Sequence, residues 1–293
     1  MSLKSMQLAM IRIRAWQHIL NEELKKNTFK IPIHLAFGYE ALSVSLKNET
    51  ADQDKLVLPH RNISYQLAFL GRLQPIYDEF LGNTLGIASG ALGSMNLAGK
   101  NSQIQYTTSI LGNGLPVSCG FALSQKVSNS KNVTFTIVGD GAIEEGACYE
   151  SMLFARSQKL PLIIILENND QSMSSSILER RSEIDWQKFT ESIDLPYFKS
   201  QGNSLTECLS AISSAREFSS SKSLPCLIEV DLFAFNQHAG SSPGWPSDPK
   251  DISIRKGPFL DPYDLDPVSQ IASIEKEEIL KLFEQQIKNW KAK

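Results

Sequence analysis

Two runs of β-forming apolar residues stop abruptly on polar turns, and this pairing constrains the chain more than any other feature. Residues 133–138 lead straight into Gly139-Asp140-Gly141, and residues 162–167 lead into Asn168-Asn169. Asp140 and Asn169 stand 29 positions apart, enough for a strand, a crossover helix and the next parallel strand. A right-handed crossover brings two such strand ends together. One carboxylate and one carboxamide then meet where open parallel sheets bind their ligands, beyond the carboxyl ends of the strands. On spacing alone two readings stand. The pair holds a hard cation and the phosphates attached to it, or Gly-Asp-Gly is only a tight turn and Asn168-Asn169 a cap.

The rest of the chain fits an α/β fold. Helical periodicity runs over residues 4–26, where Met6, Met10, Ile13, Trp16 and Ile19 recur at three- and four-residue steps. Helices are expected up to about 47, near 62–71 and 75–81, over 115–127, over about 146–158 and near 205–218. Residues 55–58 form a short strand candidate ending at Pro59, and residues 226–233 a third long one. Residues 82–99, 170–184 and 239–249 are expected to be loops, and 267–290 a C-terminal helix. Continuous Val/Ile/Leu strands alternating with helices predict a mostly parallel, doubly wound sheet covered by helices on both faces. No internal repeat or linker divides the 293 residues, so one domain over 1–293 is expected, with helical N- and C-terminal extensions.

Composition excludes several classes. With 29 basic and 32 acidic residues the net charge is −3, which gives no support to a nucleic-acid surface. Cys119, Cys148, Cys208 and Cys226 have no zinc-finger spacing and are expected to be buried thiols. No apolar run approaches the ~20 residues of a membrane span. Lys4, Arg12 and Arg14 interrupt the N-terminal apolar pattern, unlike a secretory signal, and the expected location is the cytoplasm.

Asp140 is flanked by glycines that let the backbone turn and approach a ligand, and the following helix is expected to aim its N-terminus at the same place. Mg²⁺ takes oxygen ligands, usually one or two from side chains with phosphate oxygens. Asp140, Asn169 and the Gln171 carbonyl supply such a set. The glycines at 139, 141 and 146 do not make the dinucleotide pattern, and no P-loop lysine is present.

These residues resemble the alpha subunits of thiamine diphosphate-dependent 2-oxo acid dehydrogenases, the pyruvate, branched-chain and acetoin enzymes. Gly139-Asp140-Gly141, Gly146, Glu150, Leu160-Pro161 and Glu167-Asn168-Asn169 look like the cofactor motif. In order around it, residues 34–41, His60-Arg61, residues 92–96, residues 111–122 and residues 229–238 are each similar to a segment of the family. The resemblance spans about residues 30–250.

It implies roles. Asp140, Asn169 and Gln171 hold Mg²⁺. Gly139, Gly141, Ala142, His60 and Arg61 hold the diphosphate, with Leu111 and Gly112 near the aminopyrimidine. His238 and His34 serve at the reacting carbon, and Glu150 is structural. The family's activating glutamate comes from a beta subunit, so an α₂β₂ assembly is expected, with a small 2-oxo acid as substrate and a lipoyl carrier protein as acceptor. The chain also departs from the family. Ala234 stands where an arginine contacts diphosphate, Asn96 replaces a histidine, and His60 replaces the tyrosine before Arg61. These changes leave room for thiamine-dependent ketol or acyl transfer to another acceptor, and for a non-catalytic scaffold that kept the fold.

Overall fold

The computed structural model describes residues 1–99, 102–242 and 257–292. Six strands form a single parallel sheet: β1 (Lys55–Pro59), β2 (Ile104–Thr108), β3 (Thr134–Gly139), β4 (Leu162–Asn168), β5 (Tyr197–Gln201) and β6 (Cys226–Asp231). Their order is β2-β1-β3-β4-β6-β5. All five pairings are parallel. The central strands β3, β4 and β6 were legible as apolar runs because both of their faces are covered. On β4, Ile163 and Ile165 point into one core, while Leu162, Ile164 and Leu166 point into the other.

The first face packs against α2 (Glu40–Glu49), α3 (Ile63–Leu70) and α9 (Leu205–Lys222), through Leu42, Leu46, Tyr65, Cys208 and Ile212. The second packs against α5 (Gly114–Val127), α6 (Gly146–Ser157) and α8 (Trp186–Ser192), through Leu115, Cys119, Met152 and Trp186. All four cysteines are free and buried. A third core lies outside the sheet, where α1 (Leu3–Lys25), α4 (Gln74–Phe80) and α10 (Lys276–Lys291) bury Met10, Ile13, Leu20, Phe37, Phe80 and Phe283. No helix among the described residues is long and apolar enough to cross a membrane.

A buried ion pair locks this outer layer. Arg14 on α1 is fully buried and donates to Glu40 at 2.7 and 2.9 Å, to Asp266 at 2.7 Å and to the Pro258 carbonyl at 2.6 Å. Gly38 N–H and Gln17 donate to the same Glu40 carboxylate. Every charge here is satisfied several times over, the condition under which a buried pair is tolerated.

The structure departs from the sequence expectations in four places. Strands β2 and β5 were not anticipated. Both are short sheet edges, partly exposed and without an apolar run. The C-terminal helix begins at Lys276 rather than 267. Asp266 explains the delay, since its carboxylate accepts from the N–H groups of Leu260, Val268 and Ser269 and folds that segment around itself. Residues 170–184 are not wholly irregular. A one-turn helix, α7 (Ile177–Arg180), is started by a Ser176–Glu179 capping box, and α8 follows it. Of the expected loop over 239–249, residues 243–249 lie outside the described residues.

Candidate active site

Strands β3 and β4 pair with Gly139 opposite Glu167, so the two polar turns emerge side by side at the middle of the sheet's carboxyl end. The Asp140 N–H donates to the Glu167 carbonyl at 3.1 Å, one bond beyond the ladder. A cavity of about 280 Å³ opens there. It gathers His34, His60, Arg61, Leu111, Gly139, Asp140, Gly141, Ala142, Asn169, Gln171 and His238. The first three come from loops before α2 and after β1, and His238 from the loop after β6. Of the residues assigned to catalysis, cofactor or metal in the sequence, Gly112 alone is missing from that lining. It lines an adjoining crevice with His60, Leu111 and Ala142. Its φ of +71° and the Glu145 side chain, 2.5 Å from where a Cβ would sit, restrict that position to glycine. Glu150 is exposed on α6, away from the cavity lining.

The Asp140 carboxylate is 3% exposed. Burial pushes its pKa up, opposed by a hydrogen bond and ion pair from Arg180 at 2.9 Å. Arg180, on α7, also reaches Glu144, which Arg181 contacts at 3.0 Å. Asn169 donates to the Tyr39 hydroxyl at 2.6 Å and accepts from Gln171 N–H at 2.9 Å. Asp170 has a φ of +53° and accepts from Ile177 N–H at 2.7 Å, tying the turn after Asn169 to α7. The backbone at Gly141 approaches this turn closely: a Cβ there would lie 2.3 Å from Ser172 Oγ and 2.5 Å from its Cβ. The expectation that α6 aims its N-terminus at the site needs correction. A 3₁₀ turn over Ala142–Glu144 intervenes, and the cavity is lined by Gly139–Ala142 rather than by the start of α6 at Gly146.

The opposite rim is cross-braced through main chain. Arg61 donates to the Leu35 carbonyl and, at 3.2 Å, to the His238 carbonyl. Asn236 donates to the same Leu35 carbonyl at 2.8 Å and accepts from Phe37 N–H at 2.9 Å. Asn62 fixes the turn carrying His60 and Arg61 by donating to the carbonyls of Pro59, His60 and Ser94. Asn96 accepts from Ser109 N–H at 3.2 Å, a main-chain support role.

Ser109, Ser172 and Met173 line the cavity without having been singled out in the sequence, and Met95 and Glu167, which lie in segments that resemble the family, had been given no role. Glu167 carried a signal, a lone acid closing the apolar run before Asn168-Asn169. Its side chain is buried and accepts a short hydrogen bond from Tyr65. Burial pushes its pKa from 4.5 up to about 7. The folded state therefore favours the protonated acid, and the stability this brings is full below pH 4.5 and lost as pH rises through 7. A shift of that size is worth about 3 kcal/mol. Glu167→Gln should flatten this loss, so that urea midpoints of variant and wild type diverge between pH 5 and 8. Parallel pH profiles would contradict it.

Comparisons with known proteins give the family and the fold. The family described as dehydrogenase E1 component matches residues 8–251. The pyruvate dehydrogenase E1 component subunit alpha of Rickettsia bellii is 27% identical over 82% of this chain and 72% of its own length. Its mitochondrial counterpart from Pisum sativum is 30% identical over 75% of this chain and 55% of its own. The chain thus spans roughly half to three quarters of these relatives. Among solved structures, a transketolase from Campylobacter jejuni superposes on all of this chain and 48% of its own, with a TM-score of 0.64 and 16% identity. A transketolase from Leishmania mexicana gives 0.62 and 17%. Such identities speak for the fold.

Proposed function

This chain belongs to the dehydrogenase E1 component family, and we propose that it is the alpha-type subunit of a thiamine diphosphate- and Mg²⁺-dependent enzyme that decarboxylates a 2-oxo acid and hands the acyl group to an acceptor. One observation carries the reading. Residues scattered from His34 to His238 converge on one cavity at the carboxyl end of a parallel sheet. Asp140 and Asn169 stand at the ends of adjacent strands within it.

The residues present fit the groups proposed. A buried carboxylate, a carboxamide oxygen and the Gln171 carbonyl are hard oxygen donors suited to Mg²⁺. Asp140 is already neutralised by a cation, the Arg180 guanidinium. The backbone of Gly141 and Ala142 is the part of the wall that would hold phosphate oxygens, the Gly141 N–H serving the Asp140 carboxylate as well, and Arg61 supplies positive charge on the same wall. Thiamine diphosphate, when bound, supplies the carbanion chemistry of decarboxylation. The chain's own part is to anchor, orient and donate. His34 and His60 are held neutral, burial lowering their pKa values to about 3 and about 4, and His238 is lowered in the same direction. Neutral imidazoles donate hydrogen bonds to developing negative charge without carrying charge into the site.

A second subunit belongs to this reading. Leu123 and Val127 on α5, Leu153 and Phe154 on the adjacent α6, and Ile110 beside the cavity rim are exposed. Exposed apolar side chains on two neighbouring helices are what an association face would use. A beta-type partner docked there would supply the activating glutamate in an α₂β₂ assembly, with a lipoyl carrier as acceptor. The test is 2-oxo acid-dependent reduction of an artificial electron acceptor by the chain plus its beta partner. Turnover should require thiamine diphosphate and vanish with EDTA. Tight cofactor binding without turnover on any 2-oxo acid would instead favour ketol or acyl transfer.

A further inference from the structure

Three histidines from three separate segments meet in the cavity. The ring centres of His34 and His60 are 4.7 Å apart, those of His34 and His238 4.8 Å, and those of His60 and His238 5.4 Å. One ring nitrogen from each lies within 4.8 Å of the others. Three imidazoles on one tetrahedral ion, bound at about 2.0–2.1 Å, have ring centres about 5 Å apart. The rings are therefore already at the spacing of a three-histidine metal centre. Small ring rotations bring the nitrogens to the ~3.3 Å separations of bound ligands.

We propose that His34, His60 and His238 form a binding site for a borderline transition-metal dication of the Zn²⁺ or Co²⁺ class, distinct in chemistry from the oxygen donors at Asp140 and Asn169. Imidazole nitrogen selects such ions, whereas carboxylate and carbonyl oxygen suit Mg²⁺. His34 Nδ1 is buried with no hydrogen-bond partner, on a residue 6% exposed. A polar atom left unpaired in this way is costly, and a metal ion satisfies it. The site also asks for neutral rings, because a metal binds the imidazole lone pair and not the imidazolium. Burial, with the Arg61 charge beside it, keeps all three histidines below their ordinary pKa, so no proton must be displaced at neutral pH. Arg61 repels a dication, and neither Asp140, ion-paired with Arg180, nor Glu167, which burial holds toward its protonated form, is asked to offset it, so the affinity rests on the three imidazoles. Three protein ligands leave a tetrahedral ion one open position, the arrangement of catalytic rather than structural zinc sites. His60 replaces a tyrosine of the family, so the site is a property of this chain.

The test is titration of the full chain with Co²⁺ in the absence of thiamine diphosphate and Mg²⁺, followed by visible absorption, with Zn²⁺ added to displace the signal. One Co²⁺ per chain with the intense bands of a four-coordinate centre is expected. His60→Tyr and His238→Ala should each weaken binding at least about tenfold, while Asp140→Ala leaves it unchanged. Thermal melts of both histidine variants establish that they fold, and His238, on a half-buried loop, serves if His60→Tyr does not. Absence of saturable binding would overturn the proposal. So would binding that survives both histidine substitutions, or binding that is lost in Asp140→Ala. Because no thiamine diphosphate is present, failure here leaves the cofactor reading to its own assay.

Discussion

Replacing Asp140 by alanine is expected to abolish Mg²⁺-dependent binding of thiamine diphosphate while leaving the fold intact. Asp140 sits one residue past β3, so no ladder hydrogen bond depends on its side chain. Its carboxylate is the charged member of the proposed oxygen set. Removing groups that merely support a metal ligand costs 10- to 100-fold in affinity. Loss of a direct anionic ligand should therefore exceed roughly a hundredfold. The variant also frees Arg180 from its ion pair and removes a buried, desolvated acid, so its thermal stability should hold or rise. Calorimetric titration with thiamine diphosphate and Mg²⁺ provides the measurement. An affinity equal to wild type in a folded Asp140→Ala protein would remove the metal assignment.

The largest stability effect should come from a residue far from the cavity. Arg14→Met leaves Glu40 and Asp266, both fully buried, facing each other without a cation. Breaking a buried pair from one side typically costs about 3–5 kcal/mol, because the remaining charge is stranded. Here two carboxylates are stranded, so the upper end of that range is expected in urea denaturation at pH 7. Glu40 also receives Gly38 N–H, next to the segment that presents His34. The variant should for that reason loosen the cavity as well as the outer layer. A change below about 1 kcal/mol would mean the network is held by packing alone.

The central sheet and its carboxyl-end site were legible because their signals are local. A strand buried on both faces is an apolar run, and Asp140 and Asn169 each follow one directly. The edges were not legible for the converse reason. Tyr197 to Gln201 pairs on one side only and leaves Lys199 and Gln201 exposed, so nothing in its composition demands a strand. Arg180 could not be placed from sequence, because its contact with Asp140 depends on how the loop after Asn169 folds back. The joining of His34, His60 and His238 depends on three segments up to 204 positions apart. Bonds such as those from the Asn236 and Arg61 side chains to the Leu35 carbonyl help to bring them together. A missing arginine at Ala234 was visible in the sequence. That Asn96 had become a backbone support was not.

The Arg14 clamp also sets a schedule for synthesis. Asp266 lies 252 positions after Arg14. At about 5–20 residues per second, a ribosome needs roughly 13–50 s to deliver it. Through that interval α1 carries an apolar face and a cation that has only one of its two carboxylate partners, Glu40, within the finished chain. The sheet core can assemble from residues 55–231 in the meantime. Helix α1 is therefore among the last elements to settle, and it is there that the nascent chain stays open to holding chaperones.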